Sequence, residues 1–384
     1  MRRSVHPTQV HRRPRPASWP VAAASVALAA LLAACGLPPV RPPITPAARA
    51  DAAAAALQAN FYENGRYAGA SFWQNAQGLA VVLDEYQRTH AAGWKADIAQ
   101  IYRANAQGRP GNYRASYVDD EGWWAVDWIR AWDLTGDPAY LTSAKQIFAH
   151  MASDWGGDCG GGVYWNHSDT YKNAIPNELF LEVAVLLHEV TPGDSGSGSY
   201  LAWAEREADW FLGSGMINAA GLVNDGLTPG CTNNGQTTWT YNQGVILAGL
   251  AELSRVTGDP RYLDSAERIA GAAVRVLVTS GGVVYERGCE PQGSCGADGA
   301  LFKGIFVTNL WWLYRYDPNP AFLRVLQATS ASIWTQDRTQ ADTFGLHFAG
   351  PAPDPVLVTV QQDISAAMAL AATATPLPTP ARRS

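Results

Sequence analysis

The chain has 384 residues, 47% of them hydrophobic and only 16% charged, with a formal net charge of −6. That composition supplies a sizeable core, and a mildly acidic chain without a long Lys/Arg run excludes nucleic acid as an expected partner. The 15 Trp and 15 Tyr are the informative excess, because aromatic rings either fill cores or stack on flat apolar ligand faces such as those of sugars.

In chain order, the first predicted element is an export signal. Arg2, Arg3, Arg12, Arg13 and Arg15 make a basic leader. The apolar run from Val21 to Leu32 is too short to span a bilayer, which takes about 20 residues. It ends in Leu32-Ala33-Ala34-Cys35-Gly36, which resembles a bacterial lipobox with Cys35 as the lipidated first residue of the mature chain. Residues 1–35 are read as a lipoprotein-type signal peptide, and the product as an exported cell-surface lipoprotein or secreted protein with a membrane contact through its lipid. Residues 36–46, with five prolines between Pro38 and Pro46, read as a stiff tether.

From residue 47 the pattern is helical. Apolar residues at spacings of three and four, as in Tyr140, Leu141, Ala144, Ile147, Phe148 and Met151, define about twelve amphipathic helices. They begin near Ala47, Ser71, Trp94, Asp119, Pro138, Asn173, Gly198, Tyr241, Pro260, Leu301, Pro320 and Thr359. A repeated punctuation joins them: Thr135-Gly136-Asp137-Pro138 and Thr257-Gly258-Asp259-Pro260, with a degenerate copy at Thr191-Pro192-Gly193-Asp194. The glycine ends one helix in the left-handed conformation, the aspartate caps the next, and proline takes its first position. Each copy is a helical hairpin. Twelve helices in six hairpins predict an all-α (α/α)6 toroid over residues 47–373, with inner and outer layers around a central cleft, followed by a tail at 374–384. A monomer is expected.

The segments 156–169, 213–238 and 280–298 are long and glycine-rich, and in a toroid they gather at one end as cleft walls. Cys289 and Cys295 close a short loop and are paired, which leaves Cys159 for Cys231. His90, His150, His167, His188 and His347 form no HxxxH, and the cysteines form no double CxxC. No catalytic metal and no cofactor are therefore expected.

Asp119-Asp120-Glu121-Gly122-Trp123-Trp124 is the segment that carries chemistry. Two carboxylates opening a helix serve, in the bland reading, as cap and first-turn charges that complement the dipole. Their neighbours favour more: Trp123 and Trp124 lie one turn above Asp119 and Asp120. An apolar wall raises a carboxyl pKa, and indoles stack on sugars. Consecutive helical residues diverge by about 100°, so both acids address one cleft only near a helix end.

The stretch Tyr117-Val118-Asp119-Asp120-Glu121-Gly122-Trp123-Trp124 resembles the signature of glycoside hydrolase family 76, the endo-α-1,6-mannanases. Further matching stretches follow in order: Gly161 to Trp165, Lys172 to Asn177, Val223 to Gly226, Trp239 to Val245 and Phe302 to Phe306. The resemblance implies an enzyme cleaving α-1,6-mannosidic linkages in mannan, with Asp119 as nucleophile and Asp120 as general acid/base of a retaining mechanism. It also implies substrate-binding roles for Trp123, Trp124, Asn173, Asp225, Tyr241, Asn242, Gln243 and Lys303. Capping competes for Asn173, turn formation for Asp225, and a snorkelling surface position for Lys303.

Two other readings share these residues. A transglycosylase acting on mannan-containing cell-wall or anchor glycans would use the same carboxylates, with an acceptor sugar in place of water. A non-catalytic surface glycan-binding lipoprotein would keep the toroid, and the presence of both carboxylates counts against it. A toroid acting on a uronic-acid polymer would need a basic cleft, for which the motifs offer only Lys172 and Lys303.

Overall fold

A computed structural model describes residues 44–375; Cys35, the expected signal peptide and most of the tether and tail lie outside the described residues. Twelve long helices follow one another: α1 Pro46–Phe61, α2 Phe72–Thr89, α3 Ala92–Asn105, α4 Val118–Thr135, α5 Pro138–Ala152 and α6 Ala174–Glu189, then α7 Tyr200–Gly213, α8 Thr240–Thr257, α9 Pro260–Val276, α10 Phe302–Tyr316, α11 Pro320–Ser332 and α12 Val360–Ala374. The even-numbered helices pack neighbour to neighbour in a closed ring, α2 on α4, α4 on α6 and onward until α12 returns to α2. Each odd-numbered helix packs outside this ring. This is the (α/α)6 toroid.

The hairpin punctuation works as its chemistry requires. Gly136 and Gly258 end α4 and α8 with φ of 75° and 74°, and Asp137 and Asp259 accept from the N–H groups of Ala139 and Arg261 to cap α5 and α9. The degenerate copy differs. Five residues separate Asp194 from α7, Ser199 takes over the cap, and Asp194 reaches forward to the N–H groups of Tyr200 and Leu201. A small hairpin unseen in the sequence, β1 Tyr62–Glu63 and β2 Arg66–Tyr67, fills the α1–α2 connection. Its turn residue Gly65 has φ of 88° and sits against the Gln100 carbonyl, where a Cβ would fall 2.6 Å away.

Connections from inner to outer helix are short, α6–α7 excepted, whereas those from outer to inner are long. Four of the long ones carry an antiparallel bridge just after the outer helix, Trp155↔Val163, Ile217↔Val223, Val278↔Val284 and Arg338↔Phe344, and the α7–α8 connection adds Leu227↔Asn233. Side chains of the following inner helix hold three of these bridges. Asn177 pairs with both backbone groups of Val163, Gln243 does the same for Val223, and Asp363 accepts from the Phe344 N–H. The loops are thereby fastened over the N-terminal ends of the inner helices. Two disulfides, Cys159–Cys231 and Cys289–Cys295, tie them further, the first joining the loops ahead of α6 and α8. Among the described residues no helix is long and apolar enough to cross a membrane.

Candidate active site

A cleft of about 640 Å³ opens among these loops, and Asp119 and Asp120 both line it. They stand in the first turn of α4, where helix N–H groups still lack intrahelical partners and the dipole favours negative charge. The first turn is also where two neighbours in sequence reach one space. The loop before α6 folds back on the helix start: the Val118 N–H donates to the Trp165 carbonyl at 2.9 Å, and Tyr117 bridges to Asn166. This places the Trp165 indole Nε1–H on Asp119 Oδ2 at 3.3 Å. The other oxygen, Asp119 Oδ1, is buried with no protein hydrogen bond.

Burial pushes the Asp119 carboxyl up to about 7, with the Trp165 hydrogen bond and first-turn N–H groups pulling the other way. Asp120 is pushed up to about 8, first by burial and then by the charges of Asp119, Asp298 and Glu121. The two acids are therefore unequal: Asp119 has donors that favour its anion, and Asp120 has only repulsion. Asp298 is a third carboxylate facing them. It sits on a one-turn helix, Gly296–Gly299, directly after the Cys289–Cys295 loop, and is oriented by Trp73 Nε1 at 3.1 Å and Gln74 Nε2 at 2.8 Å.

Aromatic rings wall the cleft. Trp123 stacks on Trp73, Tyr241 stacks on Phe302 with centroids 3.7 Å apart, and Tyr117 leans on Trp165. On the far wall Asp225 accepts from Tyr171 Oη–H at 2.6 Å and from Asn173 Nδ2 at 3.1 Å, while Asn173 Oδ1 caps α6. Asn173 is thus both a cap and a cleft residue.

Four of the expected binding residues do not reach this space. Trp124 is fully buried in an aromatic cluster with Phe72, Tyr113 and Trp128, because the helix turns it about 100° away from Trp123. Gln243 clamps the Val223 bridge. Asn242 is fully buried, with neither amide atom hydrogen-bonded. Lys303 is neither a cleft donor nor a surface lysine: it is fully buried, 2.7 Å from Glu290, and donates to the Leu346 carbonyl. Lys172 is also buried, over the Tyr164 ring. The cleft residues missed from sequence are Ser71, Trp73, Tyr117, Trp165, Tyr171, Gln236, Asp298 and Phe302. Tyr117, Trp165 and Phe302 lay inside the matching stretches, so a signal existed for them; Asp298 had none.

A second cavity, about 390 Å³, lies deeper along the inner helices and is lined by Gln77, Asp127, Arg130, Glu182 and Trp312 among others. Trp123 borders both spaces. Away from the cleft, folding also gathers Glu121, His150 and His167, which are remote in sequence, into one group capable of binding a metal ion.

Comparison with known proteins follows this geometry. The mannan endo-1,6-alpha-mannosidase DCW1 of Saccharomyces cerevisiae is 29% identical over 234 residues, covering 57% of this chain and 49% of that protein. The DCW1 of Candida albicans is 32% identical over 206 residues, covering 49% of this chain and 45% of that protein. The chain spans about half the length of these curated relatives. An inactive variant of the alpha-1,6-mannanase GH76A of Salegentibacter sp., solved with alpha-1,6-mannotriose, superposes with a TM-score of 0.76 at 22% identity, covering 86% of this chain and 99% of that one. Dfg5 from Chaetomium thermophilum, solved with glucosamine, gives a TM-score of 0.73 at 21% identity, covering 85% and 89%. These two likenesses establish the toroid. Residues 45–381 match the profile of Glycosyl hydrolase family 76, and the chain belongs to that family.

Proposed function

We propose that the protein is a retaining, endo-acting glycoside hydrolase that cuts α-1,6-mannosidic linkages in mannan. The observation that carries this reading is the pair Asp119 and Asp120 opening one helix into one aromatic-walled cleft, with only Asp119 held by a donor. The names of the relatives and the mannotriose bound by a structural neighbour supply the substrate class.

In the first step Asp119 Oδ attacks the anomeric carbon while Asp120 gives its proton to the departing glycosidic oxygen. In the second, Asp120 takes a proton from water, the water oxygen attacks the same carbon, and the Asp119 carboxylate is released. Tyr241, Trp123 and Trp165 supply stacking faces, and Asp225 and Asn173 accept and donate toward sugar hydroxyls. With an acceptor sugar in place of water, the second step becomes transglycosylation. The reading includes export: the lipobox at Cys35 and two disulfides both suit an extracytoplasmic, membrane-tethered monomer.

The test is digestion of linear α-1,6-mannan with the anomeric configuration followed by NMR, with and without an acceptor oligosaccharide. Release of internal-cleavage oligomers with retained α-configuration supports the proposal. An inverted product removes Asp119 as nucleophile, and binding without cleavage by the unmodified protein supports the non-catalytic reading instead.

A further inference from the structure

Glu121, one residue beyond the catalytic pair, takes no part in lining the cleft. Its side chain is wholly buried and faces two imidazoles brought from different elements: His150 from the last turn of α5, and His167 from the loop ahead of α6. His150 Nδ1 lies 2.8 Å from Glu121 Oε2, and His167 Nε2 lies 3.2 Å from Glu121 Oε1. The two rings lie close and tilted, with centroids 4.1 Å apart and planes at 34°. One ligand atom from each of the three residues falls within 4.8 Å of the others.

The fourth member decides the reading. Asp154 Oδ2 holds His167 Nδ1 at 2.5 Å. That contact lets Nδ1 donate to Asp154 while Nε2 faces Glu121, whose Oε1 also accepts from the Ala115 N–H at 2.7 Å. Metal-bound histidines take this arrangement, with one nitrogen on the ion and the other donating to an orienting carboxylate. Bonds of about 2.0–2.2 Å to a tetrahedral ion put neighbouring ligand atoms a little over 3 Å apart, against 2.8 and 3.2 Å from the Glu121 oxygens to the two imidazoles here. Both imidazoles keep a partly exposed edge, at 24% and 20% side-chain exposure, so an ion has a route in and water a place as fourth ligand.

We propose that Glu121, His150 and His167 bind one divalent transition ion of the zinc class, with Asp154 as the carboxylate that orients His167. Two imidazoles and one carboxylate suit Zn²⁺ and its neighbours and do not suit Ca²⁺ or Mg²⁺, which take oxygen ligands. The site is structural. His167 N–H donates to the Ser116 carbonyl, and Trp165 lies two residues away, so the ion pins the loop that brings the indole to Asp119. The HxxxH rule missed it because its ligands come from three elements.

The test uses the chain purified without an affinity tag, stripped with chelator and titrated with Zn²⁺ by calorimetry, and with Co²⁺ followed by visible absorption. The expected result is one equivalent of Zn²⁺, intense bands of four-coordinate Co²⁺, and a rise in melting temperature on Zn²⁺ saturation. Asp154→Asn is expected to weaken binding by about 10- to 100-fold. His150→Gln and His167→Gln are expected to abolish it, and Asp119→Asn to leave it unchanged. Absence of a stoichiometric ion, or Co²⁺ bands of an all-oxygen site, overturns the proposal from the unmodified protein alone, whatever the variants' folding. Binding that survives both histidine substitutions also overturns it and leaves the cluster purely hydrogen-bonded.

Discussion

The Trp165 indole N–H points at Asp119 Oδ2, 3.3 Å away and 46 residues along the chain. A donor fixed there favours the anion that the proposed mechanism uses as nucleophile, and orients it without help from water. Trp165→Phe keeps the ring and removes the donor. The expected outcome is a loss in kcat of about 10- to 100-fold, the worth of one hydrogen bond to a charged group, with KM for mannan oligomers little changed. Steady-state kinetics on a defined α-1,6-mannan oligomer checks it.

Asp119→Asn and Asp120→Asn are each expected to cost at least about a hundredfold in activity, as lost nucleophile or lost acid/base. Stability is expected to move the opposite way. Both carboxyls titrate higher in the folded chain than unfolded, about 7 and about 8, so at pH 8 their ionised forms oppose folding. The asparagine variants should melt at or above the parent at pH 8 and lose that advantage near pH 5, where both acids are neutral. Thermal melts at the two pH values decide it.

The same linkage extends to the whole toroid. Burial pushes Asp127, Glu182, Asp337 and Asp363 up to about 8, with Arg130 pulling back on Asp127 and Glu182, Lys303 on Asp337, and the Phe344 N–H on Asp363. Unfolded, these groups release protons near pH 4; folded, they hold them. Stability therefore falls as pH rises from about 5 through 8. Urea midpoints should be higher at pH 5.5 than at pH 8.5, and equal midpoints would contradict the assigned shifts.

Two helical glycines separate packing from propensity. A Cβ on Gly304 in α10 would lie 2.4 Å from the Ser365 carbonyl oxygen of α12, backbone against backbone. Gly304→Ala is expected to destabilise by about 1–3 kcal/mol or more, because two inner helices must separate. Gly93 in α3 has nothing within 4 Å of its Cβ position, so Gly93→Ala is expected to stabilise by up to about 1 kcal/mol. Denaturant unfolding of both variants measures the contrast.

The toroid was legible because its signals are local. Caps such as Asp137 and Asp259 sit beside the prolines they precede, and helix starts were placed within about two residues of those observed. Asp119 and Asp120 were legible because one helix turn carries both. The remaining site residues divide by whether their chemistry is ambiguous at the level of residue type. Gln243 looks like a sugar ligand in sequence, yet a buried amide with one donor and one acceptor side is also the natural clamp for a backbone bridge, as Asn177 is for Val163. Lys303 looked like a cleft cation, and only the fold reveals Glu290 beside it. Asp298 and Glu121 draw their surroundings from segments far apart in the chain, which no spacing rule encodes.

Trp123 borders both cavities, so its indole is a shared wall between the cleft and the deeper space. Under the proposed function, a glycan laid across the loop face meets Asp119 and Asp120 from that face alone, and no free chain end is needed to reach them.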